Sequence, residues 1–189
     1  MIEMHYAARM VASAAWVGVA GFAPALASQA TEPRLSPAEV ARKIDDLHAG
    51  ASGSDSQALE QDVTLLADLA RWHIENVGDT QAIADFGAPP WTRQANGLHL
   101  WGVTRAGRSW FDAGHPNLVG INVSEATDID GRYWSELARK SANGSGEKIF
   151  MIRYLHPVTR QSAFGYHTCF MLSDQVRILC AGAFEDKDG

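Results

Sequence analysis

The sequence predicts an α+β protein, and three observations carry that prediction. Apolar residues recur at helical spacing as far as Phe86, the period shortens to that of strands from Leu98 onward, and Gly87-Ala88-Pro89-Pro90 separates the two regimes. Proline there forbids helical continuation. The elements follow in order. Ser36-Pro37-Ala38-Glu39 is a capping box with proline in the first helical position, and Val40, Ile44 and Leu47 continue it as an amphipathic helix. The Gly50 to Asp55 stretch interrupts, leaving open whether one bent helix or two precede Ser56. Leu59, Val63, Leu66, Ala70, Ile74 and Val77 then predict a second helix stopped by Gly78. Asp79 is placed to cap a short third helix to about Phe86.

Beyond the break, Leu98 to Arg105 and Arg108 to Asp112 read as strands around a turn at Ala106-Gly107. A loop with His115-Pro116 leads to a short helix over Tyr133 to Ser141, closed by Asn143-Gly144. Three strands follow: Lys148 to Leu155, Ser162 to Leu172 and Val176 to Phe184. Helices first, then an antiparallel meander with one helical insertion, is the expected arrangement.

The 189 residues suffice for one domain with a proper core and are too few for two ordinary ones. The net charge of −6 argues against a nucleic-acid surface, which needs clustered Lys and Arg, and against docking on anionic lipid. Residues 1–27 read as a signal peptide. Arg9 closes a short polar stretch, Met10 to Ala23 is apolar, Pro24 breaks the run, and Ala25-Leu26-Ala27 is a small-x-small cleavage pattern. Cleavage is expected near Ala27, leaving a periplasmic or secreted protein with no membrane insertion; a retained anchor is the alternative. Residues 28–35 form a polar, Pro-interrupted linker.

Six pieces of the chain, in order, resemble the single Cache family, type 2, an extracytoplasmic sensor fold related to PAS domains. They are Asn76 to Phe86, like the family's helix–Gly–helix entry; Leu98 to Gly107, like its first strand and turn; and His115 to Asn122, like its "NP-x-LVGKN" loop. The others are Asp128-Ile129-Asp130-Gly131-Arg132, like "D-x-DGK"; His156-Pro157-Val158-Thr159, like "NPVTG"; and Ala181-Gly182-Ala183-Phe184, like "AGIY". No single piece is specific, but together they span about two-thirds of the chain, from Val63 to Phe184. The resemblance implies a single domain over 36–189, helical over 36–86 and sheet-forming over 97–185. It further implies a long N-terminal helix packed on a five- to six-stranded antiparallel PAS-like sheet, with a small-molecule pocket between sheet and crossing loops, often for short organic acids. Most relatives are the sensing part of a transmembrane receptor. This chain reaches Gly189 without a second span or a signalling module. It is therefore expected to be free-standing and to hand ligand or information to a membrane receptor or other partner protein.

A carboxylate ligand needs charge-assisted donors and aromatic walls. Where the family often has Lys, this chain has Phe164-Gly165-Tyr166-His167, so Arg153 is the best remaining forked donor. A surface Arg on a sheet edge is its plainer reading. His167 and His99 are the next candidates, each on a strand with aromatic neighbours, Tyr166 for one and Trp101 for the other. A hydrogen-bonded structural His is the plainer reading of both. Trp101, Tyr133, Trp134 and Tyr154 complete the candidate ligand-binding set with Tyr166, some of them as core instead. Asp112 stands where relatives often carry His, suiting an amine, a hydroxyl or an Arg partner, or simply solvating a turn.

Metal and cofactor binding are not expected: the seven His are dispersed, and the Asp128-Ile129-Asp130-Gly131 turn has Arg139 where a calcium loop needs Glu. No nucleophile elbow is present, so no enzyme is expected. A two-residue turn at Asp174-Gln175, or a four-residue loop from Ser173 to Val176, sets Cys169 opposite Cys180; a three-residue loop offsets them. A disulfide in an oxidising compartment is expected, with unpaired core thiols or a redox switch as alternatives. The leading reading is an exported, non-catalytic binder of a small organic acid or similar metabolite. Beside it stand a Cache-fold interaction module that has lost its ligand and, third, an unrecognised enzyme.

Overall fold

A computed structural model describes residues 35–50, 55–92, 97–155 and 161–185. The signal segment, nearly all of the 28–35 linker and the His156-Pro157-Val158-Thr159 piece lie outside the described residues. Three helices come first: α1 (Pro37–Gly50), α2 (Ser56–Val77) and α3 (Asp79–Phe86). The capping box forms as expected, with the Glu39 N–H donating to Ser36 Oγ at 3.3 Å and the Ser36 N–H to Glu39 Oε2 at 2.7 Å. Asp55 caps α2 by accepting from the Gln57 N–H at 3.0 Å. Gly78 ends α2 at φ +80°, where a side chain would be strained, and its N–H donates to the Ile74 carbonyl at 2.8 Å. Asp79 does not cap α3. Gly78 occupies the cap position, and Asp79 instead accepts from Ser173 Oγ at 2.5 Å, tying the helical part to a turn of the sheet.

The strands are β1 (His99–Thr104), β2 (Ser109–Asp112), β3 (Ile149–Leu155), β4 (Ser162–Met171) and β5 (Arg177–Phe184), with α4 (Trp134–Ala142) between β2 and β3. They form one antiparallel sheet in the order β2-β1-β5-β4-β3. This differs from a continuous meander. The β1–β2 hairpin joins the three-stranded run through β1 and β5, so the first and last strands of the sheet region are neighbours. That closure places β5 centrally, and Ile178 to Ala183 are buried throughout.

Successive strand residues face opposite sides of the sheet, and the two sides hold separate cores. Leu179, Ala181 and Ala183 of β5 join Tyr166 and Phe170 of β4 against Val63, Leu66 and Ala70 of α2. Ile178 and Cys180 face the other way, with Cys169, Phe150, Ile152 and Ala138 of α4. Each buried aliphatic side chain stabilises by about 1.5–3 kcal/mol, so neither face is free to turn outward. Ser141 locks α4 to the sheet: its Oγ donates to the Lys148 carbonyl at 2.8 Å and accepts from the Cys169 N–H at 3.2 Å.

The β4–β5 connection is the four-residue alternative. The Leu172 N–H donates to the Arg177 carbonyl, Gln175 takes φ +57°, and Asp174 Oδ1 accepts from the Val176 and Arg177 N–H groups at 2.9 Å. The resulting register sets Cys169 opposite Cys180, and they are joined by a disulfide. The bond closes a span of 11 residues, worth about 2–3 kcal/mol by restricting the unfolded chain. Replacing both cysteines by Ser is expected to lower Tm by about 5–10 °C. Calorimetry of the variant checks this, and an unchanged Tm would exclude a stabilising bridge.

Candidate functional site

The α4 face of the sheet contains a cavity of about 260 Å³. Its floor is the sheet itself, where His99, Trp101 and Val103 recur two apart along β1 as strand alternation requires. Phe150 and Ile152 of β3, His167 of β4 and Phe184 of β5 extend it. Asp112, His115, Leu118 and Trp134 close it from β2, the following loop and α4.

The floor is organised around a row across three strands, in which His99 and His167 both pair with Gly182. A Cβ at Gly182 would come within 2.4 Å of His167 Nδ1 and 3.2 Å of Trp101 Nε1. The bare backbone thus lets the Trp101 indole N–H donate to His167 Nδ1 at 3.2 Å. That bond makes Nδ1 the acceptor, so the neutral ring carries its proton on Nε2. Burial, with a smaller contribution from His99, pushes the His167 pKa down to about 3, so the ring is neutral at physiological pH. His99 is also held below its ordinary value, chiefly by burial, against the opposing pull of the Gly97 carbonyl and Asp112. Its Nδ1–H donates to the Gly97 carbonyl at 2.7 Å, leaving Nε2 as an acceptor.

Two residues of the cavity wall carry donors without a partner. The Nε2–H of His167 and the indole N–H of Trp134 are both buried and make no hydrogen bond. Nine in ten buried polar groups find a partner, and each that does not costs about 1–3 kcal/mol.

Four of the eight candidate ligand-binding residues therefore meet here: His99, Trp101, Trp134 and His167. The other four lie outside the cavity wall. Arg153 pairs with Asp130, and its N–H donates to Asp128 Oδ2 at 3.3 Å. Its guanidinium is thus held against the Asp128 to Arg132 turn, while its Nε–H is buried without a partner. Within that turn Asp128 accepts the Asp130 and Arg132 N–H groups and the Arg132 Nε–H, each at 2.9 Å. Burial alone would raise the Asp128 pKa, but these bonds hold it below the usual carboxylate value. Tyr133 is exposed. Tyr154 packs on Phe184 with ring centroids 4.6 Å apart, behind the wall. Tyr166 follows the alternation to the helical face, where its hydroxyl donates to Glu185 Oε1 at 3.1 Å. The structure also brings together His99, Asp112 and His115, a grouping hidden by their spacing in the chain. Sequence reasoning passed over Phe150, Ile152 and Phe184 as walls; the i, i+2 spacing of the first two was the available signal.

No family model matches the chain, and no curated protein matches it. Solved structures do. A methyl-accepting chemotaxis protein from Vibrio parahaemolyticus superposes with TM-score 0.56 at 14% identity, over 78% of this chain and 97% of that one. A periplasmic sensor domain of a chemotaxis protein gives 0.44 at 16% identity, over 79% and 97%. A Cache chemosensory domain described for carboxylic acid recognition gives 0.45 at 16%, over 75% and 98%. The chain has a Cache-like α+β fold, shared with the first of these structures.

Two outcomes follow from the floor geometry. Gly182→Ala is expected to displace the His167–Trp101 pair and destabilise by about 1–3 kcal/mol, read as a fall in the urea midpoint; an unchanged midpoint would mean that the floor yields freely. The second concerns pH. Unfolded, His167 titrates near about 6.5, whereas folded it stays neutral down to about 3. Its contribution to stability is fully present above about 6.5 and is lost as pH falls toward about 3, at up to about 1.4 kcal/mol per pH unit. His167→Phe is expected to flatten that part of the stability profile between pH 7 and pH 5. Parallel profiles for the two proteins would refute it.

Proposed function

We propose that this chain is an exported, sensor-type binding domain whose cavity takes a small organic acid or similar carboxylate-bearing metabolite without turning it over. The observation that carries this reading is the pair of buried, unpartnered N–H donors, His167 Nε2 and Trp134 Nε1, in an otherwise largely apolar cavity. Acceptor oxygens of a ligand would satisfy both donors, and the walls of Phe150, Ile152 and Val103 would bury its carbon skeleton. At about 260 Å³ the space lies just below the range of drug-sized pockets and suits a metabolite of a few carbons. A disulfide supports an oxidising compartment, in line with the signal segment read over residues 1–27. Among the described residues no helix is long and apolar enough to cross a membrane. Occupancy would then be reported to a partner protein, such as a membrane receptor, that recognises the ligand-bound form.

A thermal-shift screen of short carboxylates, amino acids and amines, followed by calorimetric titration, tests this reading. A saturable shift from carboxylates is expected. Trp134→Phe keeps an aromatic side chain and removes the donor, and is expected to weaken binding about 3–10-fold. A folded protein that no compound shifts would overturn ligand binding in favour of a module that docks only on a partner.

A further inference from the structure

The cavity holds a second set of polar groups that the two donors do not involve. His99, Asp112 and His115 each offer one ligand atom, and the three atoms lie within 4.8 Å of one another. They come from β1, from the end of β2 and from the loop that follows it. Local structure prepares each one. The His99 Nδ1–H is held by the Gly97 carbonyl at 2.7 Å, which leaves a lone pair on Nε2; metal-bound imidazoles are oriented by the same kind of bond. Gly114 lets the loop close on that nitrogen, since a Cβ there would sit 3.0 Å from His99 Nε2 and 2.8 Å from Cδ2. Asp112 Oδ1 accepts the His115 N–H at 2.6 Å, and His115 Nδ1 lies 3.8 Å from the same oxygen. His99 is 4% exposed and the Asp112 side chain 10%, so two of the three groups are largely withdrawn from water.

Two imidazoles and one carboxylate form a donor set of catalytic and other open zinc sites, with bonds near 2.0–2.2 Å. Tetrahedral donors at that length stand about 3.3 Å apart. The groups need to close by about 1.5 Å at most, and the half-exposed His115 side chain has room to do so. Charge points the same way. Among the described residues no Lys or Arg lines the cavity, and an ionised Asp112 alone would repel an organic acid. A divalent ion on neutral His99 and His115 with ionised Asp112 leaves a net charge of about +1 at that position.

We propose that His99, Asp112 and His115 bind a divalent transition metal ion of the zinc class, with a coordination position left toward the cavity for an oxygen of the carboxylate ligand. The open position rests on the carboxylate reading above; the metal site itself does not.

The test is calorimetric titration of Zn²⁺ alone into EDTA-treated, desalted protein, and into His115→Ala and Asp112→Asn, whose folding is checked by Tm. One ion per chain is expected, with each substitution weakening it more than about tenfold. Absence of saturable binding, or binding that both variants retain, overturns the site. Acetate titrations with and without Zn²⁺ then separate the two readings. Tighter acetate binding with the ion supports the open position, and equal binding overturns it while leaving the carboxylate reading intact. Normal Zn²⁺ binding with no carboxylate bound in either condition overturns the carboxylate reading and leaves the metal site standing.

Discussion

The indole N–H of Trp101 reaches Nδ1 of His167 over the bare backbone of Gly182, and most of the site depends on that contact. The bond assigns the His167 tautomer and so turns its Nε2 into a donor. Gly182 pairs with both His99 and His167, which places two imidazoles on one row of the sheet with an open position between them. Any side chain in the middle of that row would occupy the space where the rings lie. Phe184, two residues on along the same face, then fills between the rings at 5.6 Å from His99 and 5.7 Å from His167.

The two faces of the sheet differ in how they are covered. On one side α1, α2 and α3 cover a continuous apolar core, with His48 and His73 buried in the helical layer and His73 paired with Asp85. On the other, a single short helix covers less area, and the space it leaves is the cavity. The disulfide belongs to this thinner side, joining β4 to β5 beneath α4. Covalent closure there offsets the smaller area available for burial.

The electrostatics of the cavity are unlike those expected from a cation-anchored acid site. Arg153 pairs with Asp130, and burial holds both histidines of the cavity below their ordinary pKa, His167 down to about 3. On the proposed reading recognition would fall to oriented neutral donors, since a buried hydrogen bond is electrostatically stronger than one in water. The proposed ion at His99, Asp112 and His115 would add the positive charge that none of the described side chains of the wall supplies.

Much of the architecture was legible in the sequence because it depends on local rules. The helix at Val63 to Val77, its stop at Gly78, and the strands ending at Leu155 and Phe184 follow from periodicity and from the backbone demands of Gly and Pro. Hairpin arithmetic paired Cys169 with Cys180 for a two- or four-residue loop but not for a three-residue one, and only the folded register supplied the loop length. Tyr166 and His167 show where that reasoning ends. They are adjacent in the chain, yet one faces the helical core and the other the cavity, and only strand pairing decides which. Arg153 was singled out by residue type, but its partner Asp130 lies 23 positions away and was visible only after folding. The sequence by itself determined the elements and their order, because each depends on residues within a few positions. Tertiary structure alone decided the site, because β1, β2, β4 and α4 bring together groups whose separation along the chain carries no record of their distance in space.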